Sequence, residues 1–319
     1  MRFIYSLFLL LLVLFSCNEN KKNEVDVSDV QMKLKIDHFE QEFYNSNEKN
    51  LSSLRLKYPF LFPDEFTDSI ALAKITNPDE QELFSETETL YSDFSQQNRK
   101  LVDFFKHVKY YNPDFIPPRI ITVLSDIDYQ NRIILSDSLL LVSLDAYLGL
   151  EHPFYESFPN YIKQNTTPEH LIVDVAKAFV NAQVGQQKGR TFVEKMILEG
   201  KKMYLLDLYL PKIADYEKIG YSESKMNWAE DNEAEIWAYF IENKLLFSTQ
   251  SDLSKRFLDL APFSKFYMQT DRLSPGQIGV WIGWQIVRSY AENNDVSLQS
   301  ILEKKPIALF EQSKYKPKK

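Results

Sequence analysis

The sequence has a single cysteine, Cys17, in 319 residues. No disulfide can form within one chain, and no site built from several thiolates is available. Only 8 glycines are present. There is no glycine-rich loop to cradle phosphate and no GxSxG turn to present a nucleophilic serine. Basic residues are outnumbered, 37 Lys and Arg against 45 Asp and Glu, for a formal charge of −8. Nucleic-acid binding needs clustered cations to neutralise phosphates, so that class is excluded. A membrane-spanning run of about 20 apolar residues is also missing. Neither an internal repeat nor a Pro-, Gly- or Ser-rich linker divides the chain.

Aromatic residues are abundant, with 23 Phe, 18 Tyr and 4 Trp. That richness excludes a disordered protein and predicts a well-packed, largely helical globule. The amino terminus has the layout of an export signal: Arg2, an apolar run Phe3–Phe15 broken only by Ser6, then Ser16 and Cys17. Leu14-Phe15-Ser16-Cys17 resembles a bacterial lipobox, with Phe15 bulkier than usual. The resemblance implies cleavage after Ser16, a diacylglycerol on the Cys17 thiol and an acyl chain on the new amino terminus. Several acyl chains suffice for stable anchoring where one is marginal. Residues 1–16 are thus read as signal peptide, 17–30 as lipidated terminus and polar tether, and 31–319 as one globular domain. The basic end, Lys314, Lys316, Lys318 and Lys319, reads as a solvated, frayed tail.

Helical spacing begins after Asp37, a plausible N-cap, with Phe39, Phe43, Leu51 and Leu54. A longer helical stretch follows Asn77-Pro78, on Leu83, Leu90, Phe94, Leu101, Phe105 and Val108. The period then changes. Residues 119–124, 132–135 and 139–144 are short aliphatic runs divided by turn residues, and they predict a small antiparallel sheet. Helices return over 168–182, 190–198, 222–247, 251–260, 276–293 and 297–304. The order makes an α+β class, mainly helical with a small sheet.

Chemistry is sparse. The helix 168–182 reads PEHLIVDVAKAFVNA. A zinc hydrolase would place two histidines one turn apart here, with a glutamate between them as general base. This chain has Asp174, Val175 and Ala178. A small sheet leading into such a helix resembles a zincin of the gluzincin type, in which a second helix supplies a glutamate ligand. Glu233 falls on an apolar stripe with Met226, Trp237 and Phe240, so it is read as buried and paired, whereas Glu235 points to solvent. No catalytic residue and no metal are assigned; His170, Asp174 and Glu233 are the set from which a metal site could be rebuilt. Asp126 and Asp128 read as turn chemistry. In SPGQIGVWIGWQIVRSY (274–290), Gly276, Gly279 and Gly283 share a helical face beside Trp281. That face serves close packing or a partner.

Long blocks of the chain carry a wider resemblance. HVKYYNPDFIPPRIITVLSDIDYQNRIIL (107–135), LDAYLG (144–149), APFSKFY (261–267), the 274–290 stretch and the terminal SKYKPKK resemble the gliding-motility lipoprotein family GldB. The resemblance spans essentially the whole chain. It implies a lipid-anchored envelope protein needed for gliding, facing the periplasm, with the outer membrane slightly favoured over the inner. Partners would be other envelope or gliding-machinery proteins and the membrane itself, through the anchor. The family also looks similar to predicted zinc peptidases, and this chain departs from their pattern at Asp174, Val175 and Ala178. The expectation is therefore a non-catalytic interaction protein with no cofactor beyond the lipid on Cys17. The alternative is a metal-dependent envelope hydrolase that uses His170, Asp174 and Glu233.

Overall fold

The computed structural model describes residues 25–185 and 188–318. Strand β1 (Ile36–His38) runs straight into helix α1 (Phe39–Tyr44), followed by α2 (Glu48–Lys57), α3 (Asp68–Thr76), α4 (Pro78–Tyr91) and α5 (Ser95–Tyr111). The strands β2 (Arg119–Val123), β3 (Ile133–Leu135) and β4 (Leu139–Ser143) come next. The short α6 (Asn160–Lys163) leads to α7 (Leu171–Val184), α8 (Phe192–Tyr209), α9 (Asp215–Ile219) and α10 (Glu223–Asp231). The chain closes with α11 (Glu233–Glu242), α12 (Asp252–Phe257), α13 (Ile278–Asn293), α14 (Leu298–Glu303) and α15 (Pro306–Ser313). Helices around a small sheet agree with the α+β class.

The sheet is mixed, which corrects the antiparallel expectation. Its order is β1-β2-β4-β3, with β2 parallel to both β1 and β4, and only β3 antiparallel to β4. The reason lies in the segment between β2 and β3. It is too long for a hairpin turn and is held away from the sheet by Asp145. The backbone N–H groups of Ser125 and Ile127 donate to Asp145 Oδ2 at 2.9 and 2.7 Å. Asp126 and Ile127 are forced to positive φ, 58° and 63°. The tight 136–138 turn then returns β4 between β2 and β3. Asp37 is not an N-cap either: it lies in β1 and accepts from Arg119 Nε at 2.6 Å.

β2 separates two apolar clusters. Ile120 faces the larger one, built with α5, α7, α8 and α13. Ile121 faces a smaller, aromatic cluster with Phe43, Tyr58 and Phe62. Both faces of the strand are therefore buried, as a central parallel strand requires. The 222–247 helix expected from sequence is two helices, broken at Asn232, whose side chain bonds back to the Trp228 carbonyl at 2.8 Å. Among the described residues no helix is long and apolar enough to cross a membrane.

The main packing contact is between α8 and α13. A Cβ placed at Gly283 would sit 1.9 Å from the Met196 carbonyl oxygen, and one at Gly200 would sit 2.2 Å from the Gly283 oxygen. Two backbones meet there with no side chain between them. Gly279 packs on Phe257 and Leu258, and Gly276 on Ala261. The glycine face is thus filled from within the chain. Gly283→Ala is expected to destabilise the fold by about 3 kcal/mol or more, the upper range for overpacking. Thermal melting checks this; an unchanged midpoint would mean that the helices can separate without cost.

Candidate functional site

His170 and Asp174 come together at the start of α7, which packs on the edge strand β3. Residues Leu171–Ala176 are all buried, so the first turns of α7 enter the core on every side. Asp174 is closed off by protein donors. Its Oδ2 accepts from Arg132 Nε at 2.6 Å and from the Tyr147 hydroxyl at 2.9 Å. Its Oδ1 lies 3.4 Å from His170 Nε2. Arg132 is held in turn by the Tyr129 carbonyl, and its guanidinium lies 3.8 Å from the centroid of the Tyr129 ring. Burial pushes the Asp174 carboxyl up, but the His170 ring and the Arg132 guanidinium outweigh it and hold the group well below the usual carboxylate range. Burial pushes His170 down, toward the neutral ring. His170 Nε2 makes no hydrogen bond.

Glu233 does not join them. It is buried on the face expected, with Glu235 exposed, and its Oε1 accepts from the Tyr315 hydroxyl at 2.6 Å. Among the described residues no three His, Cys, Asp or Glu side chains form a group that could hold a metal ion. Val175 and Ala178 supply neither base nor ligand. Asp126 and Asp128 serve structure: the first pairs with Lys74 at 2.7 Å, and the second accepts from Gln130 and Asn131 backbone N–H groups. Cys17 and the Ser16 cleavage position lie outside the described residues.

Glu233 instead lines a cavity of about 890 Å³ between α8, α9, α13 and the carboxyl-terminal tail. One wall is a charge network with Asp207 and Lys218 buried and Asp215 and Arg288 half-buried. Asp207 accepts from Arg288 through both oxygens at 2.7 Å, from Lys218 at 2.9 Å and from Trp284 Nε1 at 2.8 Å. Asp215 accepts from Arg288 at 2.7 Å and Lys218 at 3.2 Å. Burial would raise Asp215, yet Arg288 and Lys218 keep its carboxyl below the ordinary value. Trp281, flagged in the sequence with the glycine stripe, also lines this cavity. Gly276 lines a second, smaller one of about 450 Å³.

The Asp207 network is not legible in the local sequence, because its donors Lys218, Trp284 and Arg288 lie 11, 77 and 81 residues from Asp207. The available signal is Asp207 itself, the one carboxylate in the apolar run MYLLDLY (203–209). The tail expectation is also corrected. Lys314 turns at positive φ, 54°, and Tyr315 folds back onto the body, edge-on to Trp237 at 5.1 Å between centroids. An aromatic with two partners outweighs the four lysines around it.

The family model of gliding motility protein GldB matches residues 20–317, so the chain belongs to that family, and membership implies a role in gliding motility. No curated protein and no solved structure matches the chain.

Asp174→Asn removes the counter-charge of Arg132 from a buried site. It is expected to cost about 3–5 kcal/mol at neutral pH, as for other broken buried pairs. Because the folded carboxyl ionises below its unfolded value, its stabilisation is complete above about pH 5 and fades as pH falls. The gap between the two proteins should therefore narrow from pH 5 to pH 3 in denaturant titrations. A gap that stays constant would show that the carboxylate charge is not what holds Arg132.

Proposed function

We propose that this chain is a lipid-anchored envelope protein, held by Cys17 and facing the periplasm, which serves gliding by binding other components of the machinery rather than by catalysis. The observation that supports it is the state of α7. At the position where a hydrolase helix would carry metal ligands and a base, Asp174 is spent on Arg132 and Tyr147. Val175 and Ala178 have no chemistry to offer. The Arg132 guanidinium already neutralises the carboxylate from its Oδ2 side, and a dication bound to the same group would be repelled by it.

The anchor fits the fold's geometry. Val27 is buried, and the Lys106 amine reaches the carbonyls of Val27 and Ser28 at 3.4 Å. The segment between Cys17 and Asp26 could extend about 30 Å at most. The body would then work close to the membrane surface, within reach of other envelope proteins.

The unpartnered His170 Nε2 is the one observation that favours the alternative, a metal-dependent hydrolase. Metal content decides between them. The chain purified without chelator is expected to carry no stoichiometric metal by elemental mass spectrometry. Zinc at one per chain that disappears in His170→Ala would overturn the non-catalytic reading. Cys17→Ala is expected to leave the membrane fraction and to abolish colony spreading. A variant that still sediments with membranes and supports spreading would refute the anchor.

A further inference from the structure

The parallel strands β1 and β2 begin at the same end of the sheet: Ile36 pairs with Ile120, and the Ile120 N–H donates to the Lys35 carbonyl at 2.9 Å. Helix α5 finishes at that end, and residues 112–118 join it to β2. The turn 136–138 borders it, where the Arg119 N–H donates to the Ser138 carbonyl at 2.9 Å. Residues 25–35 run along it as well, held to α5 by the Lys106 amine on the Val27 and Ser28 carbonyls. The chain therefore enters the body here.

This end presents large apolar side chains to solvent on a rigid frame. Ile116 is 82% exposed and Tyr110 is 47% exposed. The backbone at Ile116 is fixed from both sides. Pro117 and Pro118 follow it, and Phe115 before it stacks on Phe105 at 5.6 Å between centroids. The Phe115 N–H also donates to the Asn112 carbonyl at 3.0 Å. Tyr110 is set edge-on to Tyr111 at 5.1 Å. Phe60, also exposed, joins them through Tyr58, whose ring lies 6.5 Å from Phe60 and 5.2 Å from the Arg119 guanidinium. A slack loop would fold Ile116 inward; this one holds it out. Charges of both signs surround it, Lys33 and Lys109 with Asp29 and Asp114, so attraction to one sign is not what this end offers.

We propose that this end of the molecule seats on the bilayer surface, with Ile116 and Tyr110 entering the boundary between headgroups and acyl chains. The inference rests on the lipid anchor proposed above and adds how the body is oriented upon it. The anchor selects the bilayer as the occupant. The segment from Cys17 to Asp26 spans about 30 Å at most, and it joins the body at the end that carries Ile116. A tyrosine with an apolar ring and a wet hydroxyl suits that boundary, as does an isoleucine at a loop tip. Once the lipid holds the chain, the face meets the membrane at high effective concentration, so a small apolar area suffices. Seating of this kind is insensitive to salt, whereas attraction to charged headgroups is screened. A face built for a protein partner would stay wet on protein-free vesicles.

The test uses the full lipidated chain reconstituted into vesicles of phosphatidylethanolamine and phosphatidylglycerol. Cys17 is the only cysteine, so with its thiol in the lipid linkage an introduced cysteine is the sole site for a fluorescent label. Ile116→Cys and Tyr110→Cys report on the proposed face. Gln130→Cys, exposed in the loop that leaves the other end of β2, is the control. Lipid carrying a spin label in its acyl chain should quench the labels at 116 and 110 at least three-fold more strongly than the label at 130, in low and high salt alike. Ile116→Asp should at least halve the quenching of the label at 110, while the melting midpoint is unchanged and the chain stays on the vesicles. Equal quenching at all three positions on a chain that floats with the vesicles overturns the inference and leaves the anchor standing. Quenching that disappears in high salt overturns it too, since charge would then hold the face. A chain that does not float with the vesicles refutes the anchor, and this orientation with it.

Discussion

Two backbones in direct contact set the terms for most of this molecule. Where α8 and α13 cross, Gly200 and Gly283 leave no side chain between the helices, so their spacing is fixed by atoms that cannot rotate away. Along the same contact Asp207 on α8 receives Trp284 and Arg288 from α13. Sliding either helix by a turn would lose the glycine contact and strand a buried carboxylate without donors. Buried ion pairs add little net stability, because desolvation offsets their attraction. Their value here is register: many sliding arrangements would bury the apolar faces, but few satisfy Asp207.

That register also builds the cavity. Lys218 brings α9 to Asp207, and Asp215 closes the set onto Arg288, so one wall is a rigid, charge-balanced surface. The opposite side is the carboxyl-terminal segment, where the Tyr315 hydroxyl donates to Glu233 and Lys316 and Lys318 line the cavity. The contrast with the α7 site is instructive. There the donors to Asp174 come from the half-buried Arg132 at the edge of the sheet and the buried Tyr147 after β4. The same residue type is sealed in one place and faces open volume in the other. Such a difference depends on partners distant in sequence, not on the local motif.

This is why some of the structure was legible in the sequence and some was not. Features set by local period were readable: the limits of β2, β3 and β4, most helices, and the opposite fates of Glu233 and Glu235 two residues apart. Strand order was not, because the insertion of β4 beside β2 depends on Asp145 seizing the backbone of the preceding loop. Burial pushes the Asp145 carboxyl up to about 6, and nothing in its local sequence signals that environment. The break at Asn232 was missed because the apolar stripe continues across it in phase. The basic tail was read by its charge, and Tyr315 decided otherwise.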